Sequence, residues 1–310
     1  MILSVSRRTD IPSYYSEWFF NRIKEGYFYV RNPMNPRQVS KIRITPELVD
    51  CIVFWTKNPQ PMLSRLRELE PYPYYFQFTL TGYGRDMERN VPHKKKCMIP
   101  VFQELSRKIG KERVVWRYDP ILFTDRYSPE YHLQAFQQIA EALEGYTVKC
   151  VISFVDIYAK IQRNMRALNV RFLPERELLA FGERIAATAG RCGIAVGACA
   201  ETVDLSACGI ARSSCIDKEL TERITGYRIR ADKDKNQRKE CGCVESVEVG
   251  AYNTCRNGCI YCYANYSQER VLQNARIHDV NSPILCGRVN EEDRITERKV
   301  KLLREPQACL

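Results

Sequence analysis

Three cysteines stand close together in Tyr252-Asn253-Thr254-Cys255-Arg256-Asn257-Gly258-Cys259-Ile260-Tyr261-Cys262, spaced C-x3-C-x2-C. Thiolates at such spacing ligate zinc or iron–sulfur clusters. Structural zinc wants four ligands, usually as paired C-x2-C or C/H units, and here the nearest histidine is His278. Three thiolates suit a 4Fe–4S cubane better. One iron is then left without a protein ligand, open to chelation by a small molecule. Gly258 supplies the backbone freedom that wrapping a compact inorganic centre needs. The residues alone favour an iron–sulfur site over zinc or iron storage.

Upstream lie Cys199, Cys208, Cys215, Cys241 and Cys243. Four of these could close a second centre with no open position, and Cys199, Cys215, Cys241 and Cys243 are the candidate set. Cys208 is left out because its flanks, Ser-Ala-Cys-Gly-Ile, look like packing. Structural zinc accepts four thiolates equally well, and unrelated reduced thiols are the third reading. Cys51, Cys150 and Cys192 sit in or beside apolar runs, where buried thiols behave as small hydrophobes. Cys97, Cys286 and Cys309 are isolated and carry no special role.

The elements that position these residues follow from periodicity. Strand candidates are Ile2–Ser6, Cys51–Trp55, Tyr74–Thr81, Val114–Arg117, Cys150–Val155, Ile194–Ala198 and Val244–Val249. Between them, Ser128–Glu144 reads as a helix, with Ser128 as N-cap, Pro129 in the first turn and one apolar face of Leu133, Phe136, Ala140 and Leu143. Pro174–Ala189 repeats the design. The three-cysteine segment lies between Val244–Val249 and the helical Ser267–Ala275, so it is a strand-to-helix loop. Strand–helix alternation implies a parallel sheet covered by helices. Seven or so units fit an α/β, TIM-like barrel, partial or closed. The expected domain is single, 1–310, with a cysteine-rich portion at 199–265. Thr221–Glu240 is rich in charge and reads as a solvated connection.

In parallel barrels chemistry sits at the C-terminal strand ends. Those ends are polar here: Ser6–Asp10, Thr56–Asn58, Arg117–Asp119, Asp156 and Cys199–Glu201. Gln77, Thr79 and Thr81 share one strand face, opposite Phe76, Phe78 and Leu80. Arg7, Arg8, Lys57, Arg117 and Glu201 are the substrate-side candidates. The four cations suit a phosphate or carboxylate, or else they pair with Asp10, Asp119 or Glu201.

The C-x3-C-x2-C spacing, with the aromatic Tyr261 just before the last cysteine, resembles the signature of the radical S-adenosylmethionine (SAM) superfamily. The resemblance implies that Cys255, Cys259 and Cys262 hold a 4Fe–4S cluster whose open iron takes the amino and carboxylate groups of SAM. Tyr261 would contact the adenine. One-electron reduction would then cleave SAM to methionine and a 5′-deoxyadenosyl radical. An electron donor such as flavodoxin or ferredoxin is implied, and the upstream set becomes an auxiliary 4Fe–4S cluster. The motif lies near the C-terminus rather than after the first barrel strand. The whole chain therefore resembles an uncharacterised, permuted bacterial family catalogued as a domain of unknown function, in which Ile2–Ser6 follows the cluster-bearing unit. A faint resemblance to spore photoproduct lyase allows a nucleic-acid substrate; a small molecule is the other choice.

Composition bounds these readings. Hydrophobic residues make up 45% of 310, enough for a sizeable core. The N-terminus places its apolar run before Arg7 and Arg8, the reverse of a signal peptide, so the expectation is a cytoplasmic protein without membrane spans. The net charge of +11 permits a polyanionic partner. Acids interleave with the bases, as in Arg65–Glu70 and Glu291–Arg304, a pattern that solvated helix faces also give. Two alternatives stay open: an iron–sulfur electron-transfer or sensor protein without SAM chemistry, and a zinc-stabilised nucleic-acid-binding protein.

Overall fold

A computed structural model describes residues 1–156 and 161–305. The chain begins with β1 (Ile2–Val5), the one-turn α1 (Ile11–Tyr14) and α2 (Ser16–Glu25), then the hairpin β2 (Tyr27–Arg31) and β3 (Gln38–Arg43). Next come β4 (Cys51–Thr56), β5 (Tyr74–Thr79), α3 (Ile99–Ile109), β6 (Val114–Ile121) and α4 (Pro129–Ala142). The middle of the chain adds β7 (Lys149–Phe154), the short α5 (Gln162–Met165), α6 (Glu175–Arg191), β8 (Ala195–Ala198), β9 (Ala211–Arg212) and α7 (Lys218–Thr225). Last are β10 (Val247–Glu248), α8 (Gln268–Arg276) and β11 (Arg294–Glu297).

Eight strands form one parallel sheet in the order β10-β1-β4-β5-β6-β7-β8-β9. The chain is an α/β protein. β10, the strand that leads into the three-cysteine loop, pairs with β1, Leu3 opposite Val247. β10 and β9 are the two edges, and the segments beside them meet where the Val244 amide donates to the Ile216 carbonyl at 3.2 Å.

The two sheet faces differ in size and polarity, because side chains alternate along each strand. Phe54, Phe76, Phe78, Trp116 and Tyr118 point to the helix side, where Phe54 stacks on Phe76 at 4.7 Å and Trp116 on Phe136 of α4 at 4.6 Å. The opposite face carries Ile2, Val53, Tyr75, Val115 and Val151 in its lower half, packed against Cys199, Ile216, Leu220, Ile229, Val244 and Leu303. Its upper half is polar, with Ser4, Ser6, Gln77, Arg117 and Ser153 all buried. The alternation of Gln77 and Thr79 against Phe76 and Phe78 is the local sign of this division.

Helix caps follow side-chain chemistry. Ser128 Oγ accepts the Tyr131 amide at 3.2 Å at the start of α4, and Ser267 Oγ accepts the Arg270 amide at 3.3 Å at the start of α8.

Three expectations need correction. Thr221–Glu240 is not a solvated connection throughout: its first residues complete α7, and Thr221, Ile229 and Asp234 are buried beneath the small face of the sheet. Glu291–Arg304 contains β11, which pairs with β3 in a three-stranded sheet β11-β3-β2, and no helix. Of Val244–Val249, only Val247–Glu248 joins the main ladder, because Val244 bridges Lys233 instead. No helix among the described residues is long and apolar enough to cross a membrane.

Candidate functional site

The three-cysteine loop leaves the C-terminal end of β10 and is tied down from three sides. Within it, Asn253 adopts φ +55°, and its Oδ1 accepts the amides of Tyr266 and Ser267 at 3.0 and 3.2 Å. That fixes the exit into α8. From β1 and α1, Asp10 accepts Asn257 Nδ2 at 3.0 Å, and Tyr15 OH donates to the Thr254 carbonyl at 2.6 Å. From the segment after β5, the Asn90 amide donates to the Asn257 carbonyl at 3.0 Å, while the Ile260 amide donates to the Met87 carbonyl at 3.0 Å. Gly250 marks the tightest approach: a Cβ there would lie 1.9 Å from Ser6 Oγ.

Cys255 is buried, and Cys259 and Cys262 are half-buried. Burial pushes the Cys255 thiol up to about 12, Asp10 and Cys262 adding to the rise. Burial raises Cys262 as well. Cys259 is raised by burial against the pull of Lys57, while the charges of Glu88, Cys262 and Cys255 push the same way as burial. Burial thus favours the protonated thiol at all three positions, and Cys255 and Cys259 each sense a neighbouring sulfur. Nearby, Arg7 Nη1, Thr9 Oγ1 and Asn265 Oδ1 are buried polar atoms with no hydrogen-bond partner. Three thiols on one loop beside unpaired polar atoms are the donor types that an iron–sulfur group with a polar ligand would use, although among the described residues no group of three or more His, Cys, Asp or Glu side chains is closed around a metal-ion position as it stands.

Against Cys259 lies an ionic network that sequence reasoning missed. Glu88, whose side chain is fully buried, accepts Lys57 Nζ at 2.8 Å and Thr81 Oγ1 at 2.8 Å on Oε1. Tyr261 OH donates to the same oxygen, and Lys94 Nζ is bonded to Oε2. Burial alone would raise Glu88; the two ammonium groups outweigh it and hold the carboxylate at about 2. Lys57 is lowered by burial but raised more by Glu88 and Cys259, so it stays protonated. Two cations and one anion leave an excess positive charge beside the thiols. Glu88 and Lys94 sit in Asp-Met-Glu-Arg-Asn and His-Lys-Lys-Lys, stretches that read as solvated surface.

The remaining strand ends carry further partners. Asp10 caps α1 by accepting the Ser13 amide at 3.1 Å, and it also accepts Thr56 Oγ1 and the Lys57 amide, each at 2.7 Å. Burial raises its carboxyl despite these donors. Arg7 pairs with Glu248 at 3.3 Å and Asp234 at 3.4 Å, neither of them among the anticipated acids. The Arg8 guanidinium lies 5.0 Å over the Tyr252 ring. Arg117 pairs with Asp119, as one reading of the sequence expected, and donates to Cys215 Sγ. Glu201 accepts the Phe154 amide at 2.8 Å, and burial pushes its carboxyl up to about 7. Asp156 is paired with Arg238. Tyr261 packs its ring against Tyr83 at 5.6 Å, with its hydroxyl engaged by Glu88.

Cys199, Cys215, Cys241 and Cys243 come together on the small face of the sheet. Cys215 Sγ lies 3.2 Å from Cys199 Sγ, and the Ile216 amide donates to Cys243 Sγ at 3.3 Å. Cys208 is elsewhere, donating to the Leu179 carbonyl at 3.3 Å. Cys51, Cys150 and Cys192 are buried, Cys97 is exposed and Cys286 is half-buried. Cys309 lies outside the described residues.

A family model described as Domain of unknown function (DUF1848) matches residues 2–264, a span from β1 to just past Cys262. No curated protein and no solved structure matches the chain.

Proposed function

The chain belongs to the DUF1848 family, and from its three-thiol loop we propose that it is a radical SAM enzyme. The observation that carries this reading is position. The loop bearing Cys255, Cys259 and Cys262 opens at the C-terminal end of a parallel strand, beside β1, where α/β sheets bind their ligands. That is also the place of a cluster-bearing unit in a TIM-like barrel permuted so that β1 follows it.

In this reading the three thiolates hold a 4Fe–4S cluster. The chemistry it supplies when bound is one-electron cleavage of SAM to a 5′-deoxyadenosyl radical, with flavodoxin or ferredoxin as electron donor. The chain's own residues do the rest. Asp10 and Asn257 hold the loop against the ends of β1 and β4. Lys57 and Lys94 keep Glu88 ionised, and their surplus positive charge stabilises an anionic group next to Cys259. Thr9 Oγ1, Arg7 Nη1 and Asn265 Oδ1 offer hydrogen bonds to a polar ligand. Arg117, Asp119, Ser153 and Glu201 line the polar upper face of the sheet, on the substrate side. Tyr83 and Tyr261 close the wall behind Cys259 and exclude water.

The test is anaerobic purification, iron and sulfide analysis, and addition of reductant with SAM. Four irons and four sulfides from the loop, with reduction-dependent 5′-deoxyadenosine, are expected. Cys259→Ala should abolish 5′-deoxyadenosine formation and lose that iron. Protein that stays iron-free after reconstitution would sink the reading, and a redox-active cluster that yields no 5′-deoxyadenosine would replace it with electron transfer or sensing.

A further inference from the structure

We propose that Cys199, Cys215, Cys241 and Cys243 hold one tetrahedral metal ion, zinc, which fastens the segment after β9 to the segment before β10. The four residues arrive from separate stretches. Cys199 follows β8, Cys215 follows β9, and Cys241-Gly242-Cys243 precedes β10. All four are buried in one cluster. Cys215 Sγ lies 3.2 Å from Cys199 Sγ, and the thiols of Cys241 and Cys243 are close enough to Cys199 to be electrostatically linked to it.

Spacing separates one ion from a cluster. Thiolates bound to a single zinc at about 2.3 Å in a tetrahedron stand about 3.8 Å apart. As they stand the four thiols are not closed around an ion; the Cys199 and Cys215 sulfurs are 3.2 Å apart and need to open by about 0.6 Å to take one. A cubane would set its thiolates around a four-iron core and force these sulfurs out of contact, against the packed Ile216, Val244 and Tyr75. Charge fits too. Binding Zn²⁺ releases four thiol protons to water and leaves a dianionic tetrathiolate. Arg117, donating to Cys215 Sγ, and the Ile216 amide, donating to Cys243 Sγ, already offset that charge as outer-shell partners do. The Cys215 carbonyl is held in turn by Tyr75 OH and Gln77 Nε2, each at 2.8 Å. The ion's position explains its purpose. It sits where the two edge strands' flanking segments meet, joined otherwise by the single Val244–Ile216 hydrogen bond among the backbone contacts of the described residues.

The full chain, purified anaerobically from cells supplied with iron and zinc, should be analysed beside a Cys255→Ala/Cys259→Ala/Cys262→Ala variant. The variant should keep one zinc per chain, bind no sulfide, and give a four-thiolate cobalt spectrum on exchange. Cys215→Ser should weaken zinc binding in chelator competition by roughly a hundredfold or more. If Cys215→Ser does not fold, the cobalt spectrum of the triple variant decides. Four irons with sulfide in the triple variant, or folded metal-free protein with these thiols titratable or joined as a disulfide, would overturn the proposal. Because the triple variant lacks the C-x3-C-x2-C ligands, the result is independent of the radical SAM reading.

Discussion

Glu88 shows how far a single side chain can govern its surroundings. Its carboxylate, with no exposed surface, faces two ammonium groups. Removing one partner of such a buried pair typically costs 3–5 kcal/mol, because the other charge is stranded. Glu88→Gln should therefore lose about 3 kcal/mol at neutral pH in urea denaturation. Its folded value of about 2 lies below the ordinary 4.5, so its stabilisation is complete above about pH 5 and disappears as pH falls toward 2. Glu201 works in the opposite sense. Its folded value of about 7 lies above 4.5, so the folded state holds the proton longer, and stability is lost as pH rises from 4.5 to 7. Glu201→Gln should flatten the stability curve across that window, and an unchanged slope would remove Glu201 from the account.

At the scale of elements, the β10–β1 pair sets where the thiol loop opens. Gly250 makes that approach possible, and Gly250→Ala would drive a methyl group into Ser6 Oγ. Overpacking of this kind costs about 1–3 kcal/mol; we expect a lower denaturation midpoint and poorer iron incorporation, with Gly110→Ala as an unsuitable control because Gly110 has φ +92°. Gly190→Ala, inside α6 with open space around it, is the suitable one. Seven of the eight strands of the large sheet were legible because buried parallel strands are continuous apolar runs, as in Cys51–Trp55, whereas the two-residue edge strand β9, exposed at both positions, has no such run. The second sheet was not. In β3 the buried residues are Val39 and Ile42, three apart rather than two, and β11 has none. Neither strand offers a period for a reader to find. The three-cysteine loop was legible because its spacing is local, whereas Glu88 draws its chemistry from Lys57, 31 residues away.

The whole molecule carries a net charge of +11. A donor protein with an acidic surface should approach faster at low salt, since charges beyond about 8 Å are screened at physiological ionic strength. 5′-Deoxyadenosine formation supported by flavodoxin should thus slow as salt rises, while formation supported by a small chemical reductant should not. Equal salt sensitivity of both would place the limiting step elsewhere than in donor docking.

The pairing of β10 with β1 also has a consequence in time. The sheet's neighbours at that seam are far apart in the order of synthesis, so β1 to β8 leave the ribosome before the loop that sits over them. At about 5–20 residues per second, the stretch from Ala198 to Cys262 takes roughly 3–13 s. The helix-covered core has that interval to form before Cys255, Cys259 and Cys262 are made. The three-thiol loop then arrives at a surface already shaped to receive it.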